Sequence, residues 1–287
     1  MHKNRSPVLW LVLPTVLLAV FFASALTGCS QNGTKQTQVS TPQTIRITGS
    51  STCLPMLKIL TTQYAKKHPE IRFLYLPSAH SGAGIQGAAN GTLDIGAVSR
   101  DLTPEEIALG LEYIVLSNDG LAIATHKDMK IKTITTEQLR QIYSGEVVNW
   151  KDLGGPDASI VVLDRAEDES AKVILRKYLL GDTVVLPSAS VMFLETDLIK
   201  ALTTTPDSIG YLSLGAIVSD NLDVNVLSLD DVQPSVLNIH SGLYKIVRPL
   251  GIVLKKNPTS ATRSFVEWVH SAEGTKAMDA KGYASVK

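Results

Sequence analysis

Cysteine is almost missing from this chain of 287 residues: Cys29 and Cys53 are the only two, too few for a disulfide framework. The six histidines show no paired ligand spacing, so the sequence supports no structural metal and no metal cofactor. Aromatic residues are 6% of the chain, and the 27 basic residues only match the 27 acidic ones. Neither a base-stacking platform nor a basic stripe is present, which argues against a nucleic-acid partner. There is no Walker lysine motif, no Gly-x-Ser-x-Gly elbow and no usable Ser-x-x-Lys pair. No enzyme chemistry is specified, and a binding role with no cofactor is the better expectation.

What is there begins with a hydrophobic content of 44% and a charged content of 19%, enough for a packed core in one large domain or two ordinary ones. At the N-terminus Lys3 and Arg5 precede a mostly apolar run over 7–25, followed by Leu26-Thr27-Gly28-Cys29. This is the layout of a secretory signal peptide. A membrane span fits less well, because Pro14 interrupts the run and its length of about 18 residues barely suffices. Leu-Thr-Gly-Cys resembles the bacterial lipobox, in which the cysteine becomes the lipidated first residue. Residues 1–28 are therefore expected to be a lipoprotein signal peptide, and lipid on Cys29 to tether an exported protein to the bacterial cell membrane. Without residues 1–28 the chain has an excess of two acidic residues, so any anion site must be local. Residues 29–44, rich in Gln, Thr and Ser, read as a flexible tether. Cys53 then has no partner and is expected to pack in the interior.

The stretch 74–101 organises the rest. A strand leads to Ser81 before Gly82 and Gly84, where a ligand can approach the backbone closely. Ile85 to Asn90 is expected to form two helical turns whose free amides favour an anion, with Gly91 as the left-handed stop. Leu93, Ile95, Ala97 and Val98 read as a buried strand that delivers Ser99 and Arg100 to the carboxyl edge of a sheet. A similar strand, turn and helix start occurs earlier, where Ile45 and Ile47 lead through Gly49-Ser50-Ser51-Thr52 to a helix with Met56, Leu57, Leu60 and Tyr64 inward. Thr52 or Cys53 is its expected cap, with Pro55 in the first turn.

Further along, Thr103-Pro104-Glu105-Glu106 has the form of a capping box. Strands are expected at 113–116 and 121–125, separated by Ser117-Asn118-Asp119-Gly120, and a long buried strand at 243–254. Another strand at 160–163 ends in Asp164-Arg165, with a helix opening near Ser170. Arg165 and Ser170 are placed to meet an oxyanion from two sides, or Arg165 pairs with Asp164, Glu167 or Asp168. Alternating strands and helices argue for an α/β fold with mainly parallel sheets. Gly82-Ala83-Gly84-Ile85-Gln86-Gly87 matches a dinucleotide fingerprint, but Ser99-Arg100 stands where its acidic residue belongs.

Taken together, Gly49-Ser50-Ser51-Thr52, Ser81-Gly82-Ala83-Gly84-Ile85, Asp94-Ile95-Gly96-Ala97-Val98-Ser99-Arg100 and Ser208-Ile209-Gly210-Tyr211 resemble the phosphate-binding proteins of bacterial phosphate ABC importers. Arg248-Pro249-Leu250 and the closing Phe265-Val266-Glu267-Trp268 extend the likeness from Ile45 to Val286. The resemblance implies a two-lobed, type II periplasmic-binding-protein-like fold, with lobe one at 45–124 plus 248–287 and lobe two at 125–247. It implies a monomer that captures phosphate or a similar oxyanion and hands it to the membrane subunits of an ABC transporter. Ser51, Thr52, Ser81 and Ser99 would be ligand contacts on the first lobe and Arg165 on the second, while Arg100 contacts ligand or enters a pair between the lobes.

One departure stands out. After the arginine the family usually shows Gly-Ser-Gly-Thr, and here the stretch reads Asp168-Glu169-Ser170-Ala171. Two carboxylates repel an oxyanion in a poorly screened cleft. Either Glu169 accepts the proton that phosphate carries and rejects fully ionised sulfate, with Ser170 as a donor beside it, or the ligand differs or the protein is a sensory binding module.

Overall fold

The computed structural model describes residues 42–77 and 79–286. The expected signal peptide, Cys29 and all but the last residues of the expected tether lie outside the described residues.

Strand β1 (Gln43–Gly49) alternates exposure and burial, with Ile45 and Ile47 inward. Helix α1 (Leu54–Lys67) follows with Pro55 in its first turn and Met56, Leu57, Leu60 and Tyr64 buried at helical spacing. The chain continues through β2 (Ile71–Tyr75), α2 (Ser81–Asn90), β3 (Ile95–Val98), α3 (Pro104–Ile107) and the long β4 (Glu112–His126). Next come β5 (Thr133–Ile134), α4 (Thr136–Ser144), β6 (Val161–Arg165), α5 (Ser170–Leu175), β7 (Ser190–Met192), α6 (Glu195–Thr204), β8 (Ser208–Ser213) and α7 (Leu214–Ser219). The chain closes with β9 (Val224–Val226), β10 (Ser228–Leu229), α8 (Val236–His240), β11 (Val247–Leu254), α9 (Ser260–Val269), α10 (Ala272–Asp279) and β12 (Tyr283–Ser285).

The sheet runs in the order β2-β1-β3-β11-β4-β8-β6-β7, with β12 and β9 also on β4 and β10-β5 as a separate pair. Pairing is parallel at both ends, among β2, β1 and β3 and among β8, β6 and β7. It is antiparallel in the middle, where β11 lies on β3 and β4, and β4 on β8. Two large cores lie along this path, and the middle strands feed both. Strand β4 gives Leu116 to a core with α1 and α9, and Leu121 and Ile123 to a core with α4 and α5. Strand β11 gives Leu250 to the first and packs Val247 against the second. The two middle strands are therefore crossovers, and the expected mainly parallel sheet is mixed because of them.

Four expectations about local structure are corrected. The two strands anticipated at 113–116 and 121–125 are one, because Ser117 to Gly120 pairs throughout with β11 and β12. The strand expected from Leu243 begins only at Val247. Helix α2 starts at Ser81 rather than near Ile85, and its cap is His80, whose Nδ1 accepts the Ala83 N–H at 3.3 Å. Its glycines allow the helix to lie against the strands. A Cβ at Gly84 would fall 2.8 Å from Ala97 O and 3.0 Å from Gly49 Cα. Gly91 ends α2 at φ 80°, as expected. Neither Thr52 nor Cys53 caps α1: Cys53 holds the cap position without a side-chain cap bond. Cys53 is fully buried, and burial pushes its thiol up to about 12. Among the described residues no helix is long and apolar enough to cross a membrane.

Candidate functional site

Parallel strands end together, so their carboxyl ends gather the loops that follow them. Beyond β1 come Ser50, Ser51 and Thr52; beyond β2, His80 and Ser81; beyond β3, Ser99 and Arg100. From the far end of the sheet, β6 delivers Arg165 and the loop into α5. These loops line one cleft of about 550 Å3. Ser51, Thr52, Ser81, Ser99, Arg100, Glu169 and Ser170 all face it, together with Val173 and Lys177 farther out.

The hydroxyls form a chain across the cleft. Ser50 Oγ donates to Ser99 Oγ at 2.8 Å, and the Ser99 N–H donates to Ser81 Oγ at 3.2 Å. Ser99 Oγ reaches Ser170 Oγ at 3.5 Å, which links the first group of loops to α5. The N-terminus of α2 opens beside Ser81, where first-turn amides and the helix dipole favour negative charge. Hydroxyls and amides of this kind bind an anion without a formal counter-charge.

Arg100 is taken up locally, not in a pair between lobes. Its two terminal nitrogens hold both oxygens of Glu106 at 2.7 and 2.8 Å. Glu106 closes the expected capping box with Thr103, so the helix start fixes the guanidinium at the rim of the cleft. Hydrogen bonds from Arg100 hold the Glu106 carboxyl below the usual range.

Arg165 is not on the cleft wall. Its side chain is 6% exposed and stands behind Glu169, whose Oε2 takes Nη2 at 2.8 Å. Nη2 also donates to Phe193 O at 3.1 Å, and Nε is buried with no hydrogen-bond partner among the described residues. Two of the three expected alternative partners are used elsewhere, Asp164 by buried Lys172 and Tyr211 and Glu167 by Arg176 at 2.7 Å, while Asp168 forms no ion pair among the described residues. Tyr211 Oη accepts the Arg165 N–H at 3.0 Å and donates to Asp164 at 2.7 Å, fixing the end of β6.

Arg248 and Asp119 are neighbours of the cleft that residue patterns did not reveal. Arg248 Nη1 donates to Ser170 Oγ at 3.1 Å, and its Nε donates to Asp119 at 3.0 Å. Both side chains are buried, and Glu195 lies 3.7 Å from Nη2. Burial pushes the Asp119 carboxyl up, against the pull of Arg248. Only the register that sets Arg248 opposite Asp119 joins them, and that needs the strand to run through 117–120. His80 and Lys177 also line the cleft unanticipated. No group of three or more His, Cys, Asp or Glu that could hold a metal occurs among the described residues.

Residues 34–273 match the PBP superfamily domain. The phosphate-binding protein PstS of Borreliella burgdorferi is 31% identical over 258 residues, which cover 85% of this chain and 90% of that protein. PstS of Bacillus subtilis is 24% identical over 285 residues, 97% of this chain and 92% of that protein. A Clostridium perfringens protein assigned as a phosphate ABC transporter substrate-binding protein, solved with bound phosphate, superposes with a TM-score of 0.75. It is 27% identical, and the match covers 85% of this chain and 100% of that one. The expected type II periplasmic-binding-protein fold is therefore present, and this chain belongs to the PBP superfamily and, within it, to the family of the phosphate-binding protein PstS.

Proposed function

We propose that this protein is an extracytoplasmic solute-binding lipoprotein that captures inorganic phosphate between two lobes, 45–124 plus 248–287 and 125–247, for ABC import. The observation that carries this is the convergence of Ser51, Thr52, Ser81, Ser99 and Ser170 on one cleft, with the start of α2 beside them. Neutral hydroxyl and amide donors replace the hydration shell of an oxyanion, and closure of the lobes excludes water. The names of its relatives support phosphate as the anion. Arg165 supplies the buried positive charge of the second lobe, and Arg100 a charge at the rim. The protein binds without catalysis, acts as a monomer, is held to the cell membrane by lipid on Cys29, and passes phosphate to the transporter's membrane subunits.

Calorimetric titration of residues 30–287 with phosphate, and with sulfate as control, at pH 6 and pH 8.5 tests the reading. Tight phosphate binding without sulfate binding is expected at both values. Absence of heat with either anion would sink it.

A further inference from the structure

The phosphate reading leaves one contact unaccounted for, and the inference below rests on that reading. Glu169 holds the cap position of α5 but makes no cap bond. Its carboxylate is turned instead onto Arg165, 2.8 Å away. A carboxylate is itself a planar oxyanion that a guanidinium binds well, so Arg165 already has an anion of the chain's own. The pair is asymmetric. Arg165 is 6% exposed while Glu169 is 39% exposed, so the carboxylate is the member that can leave for water. Arg165 also keeps Nε buried and unpartnered among the described residues, so Glu169 and Phe193 O do not exhaust its donors.

We propose that Glu169 is a built-in competitor for the ligand: the incoming anion displaces it from Arg165, and this exchange sets the affinity and selectivity of the cleft. A tetrahedral anion, with oxygens to spare for the hydroxyls of the cleft, gains more there and at Arg165 together than the carboxylate gives up, whereas acetate, with only two oxygens, does not. The other charged groups on the cleft do not do the same. Arg100 is held by Glu106, and Asp101, Asp168 and Lys177 form no ion pair across it among the described residues. Displacement also explains why two carboxylates are tolerated in the loop, since one of them spends its charge on Arg165 until ligand arrives.

The experiment is phosphate calorimetry on residues 30–287 with the natural sequence, Glu169→Gln, Asp168→Asn, Arg165→Ala and the double variant Arg165→Ala with Glu169→Gln. Where the paired form holds about nine-tenths of the molecules, apparent affinity is lowered about tenfold. Glu169→Gln is therefore expected to tighten phosphate binding about tenfold, Asp168→Asn to change it much less, and Glu169→Gln to add nothing once Arg165 is gone. Unchanged or weaker binding in Glu169→Gln overturns the proposal, weaker binding meaning that Glu169 touches the ligand and accepts its proton. Equal tightening by Asp168→Asn overturns it too, as general relief of charge. If the natural chain gives no heat while Glu169→Gln does, the competitor stands and phosphate capture by the natural chain falls. If neither gives heat, both fall.

Discussion

Arg248 on β11 donates through Nη1 to the hydroxyl of Ser170, 3.1 Å away, and so joins a crossover strand to the first residue of α5. The same guanidinium holds Asp119 of the other crossover strand at 3.0 Å. Ser170 faces the cleft, so a buried charge pair between the crossovers lies one hydrogen bond from the ligand. Ser170 accepts from Arg248 and keeps its own proton to donate, so the buried pair and an anion in the cleft can share one hydroxyl.

The Arg248–Asp119 pair is the first target. Arg248→Met strips Asp119 of its counter-charge while both remain away from water, and truncating one member of a buried pair costs about 3–5 kcal/mol. Urea unfolding is expected to show a loss of that size. The double variant Arg248→Met with Asp119→Leu should recover most of it, because no uncompensated charge is left. A double variant as unstable as the single one would show that packing, not charge, holds this region.

Arg165 gives the second prediction. It is buried behind the loop that lines the cleft, and the release of Glu169 opens it to an anion. Truncating a buried partner of a charged ligand costs about 2 kcal/mol or more in affinity. Calorimetry on Arg165→Ala is expected to show at least that loss for phosphate. A Kd within error of the natural protein would remove Arg165 from the site.

Sequence pattern was a good guide where one strand and its following loop suffice. Ser51, Thr52, Ser81, Ser99 and Ser170 could be placed on the cleft because each follows a strand whose apolar residues are plain and whose turn is polar. Gly91 and the Thr103–Glu106 box mark helix ends by local chemistry alone, and both hold. What stayed hidden depends on register or on side-chain direction. Ser117 to Gly120 looks like a turn because its residues are polar, yet in the strand those groups meet Arg248, Ser213 and β12. Lys172 and Arg176 draw Asp164 and Glu167 away from Arg165, and of the two remaining carboxylates of the loop it is Glu169 that turns onto it. The glycines at 82 and 84 read as a ligand-approach turn, but they are helical, and Gly84 lies against the strands.

Gly84 supplies the third prediction. A methyl there would sit 2.8 Å from Ala97 O and 3.0 Å from Gly49 Cα, both backbone atoms that cannot swing aside. Relief requires α2 to lift from β1 and β3, and overpacking of this kind costs about 1–3 kcal/mol. Because α2 carries Ser81, Gly84→Ala is expected to weaken phosphate binding as well as stability. Stability unchanged in thermal unfolding would mean that the helix seat is looser than this geometry.

Glu106 gives the last. Hydrogen bonds from Arg100 hold its carboxyl below the usual carboxylate range in the folded protein. A carboxyl whose folded value is depressed adds stability above its unfolded value, and that stability is lost as pH falls through the folded one. Glu106→Gln removes the charge but keeps a side chain able to close the capping box with Thr103, so it isolates the ion pair. With Arg100 39% exposed, solvent screening limits the pair to about 1 kcal/mol or less. Urea unfolding at pH 7 is expected to show the natural chain more stable than Glu106→Gln by that amount, and at pH 3 the gap should narrow. A gap that stays constant between the two pH values would show that Glu106 acts through its shape and cap geometry and not through its charge.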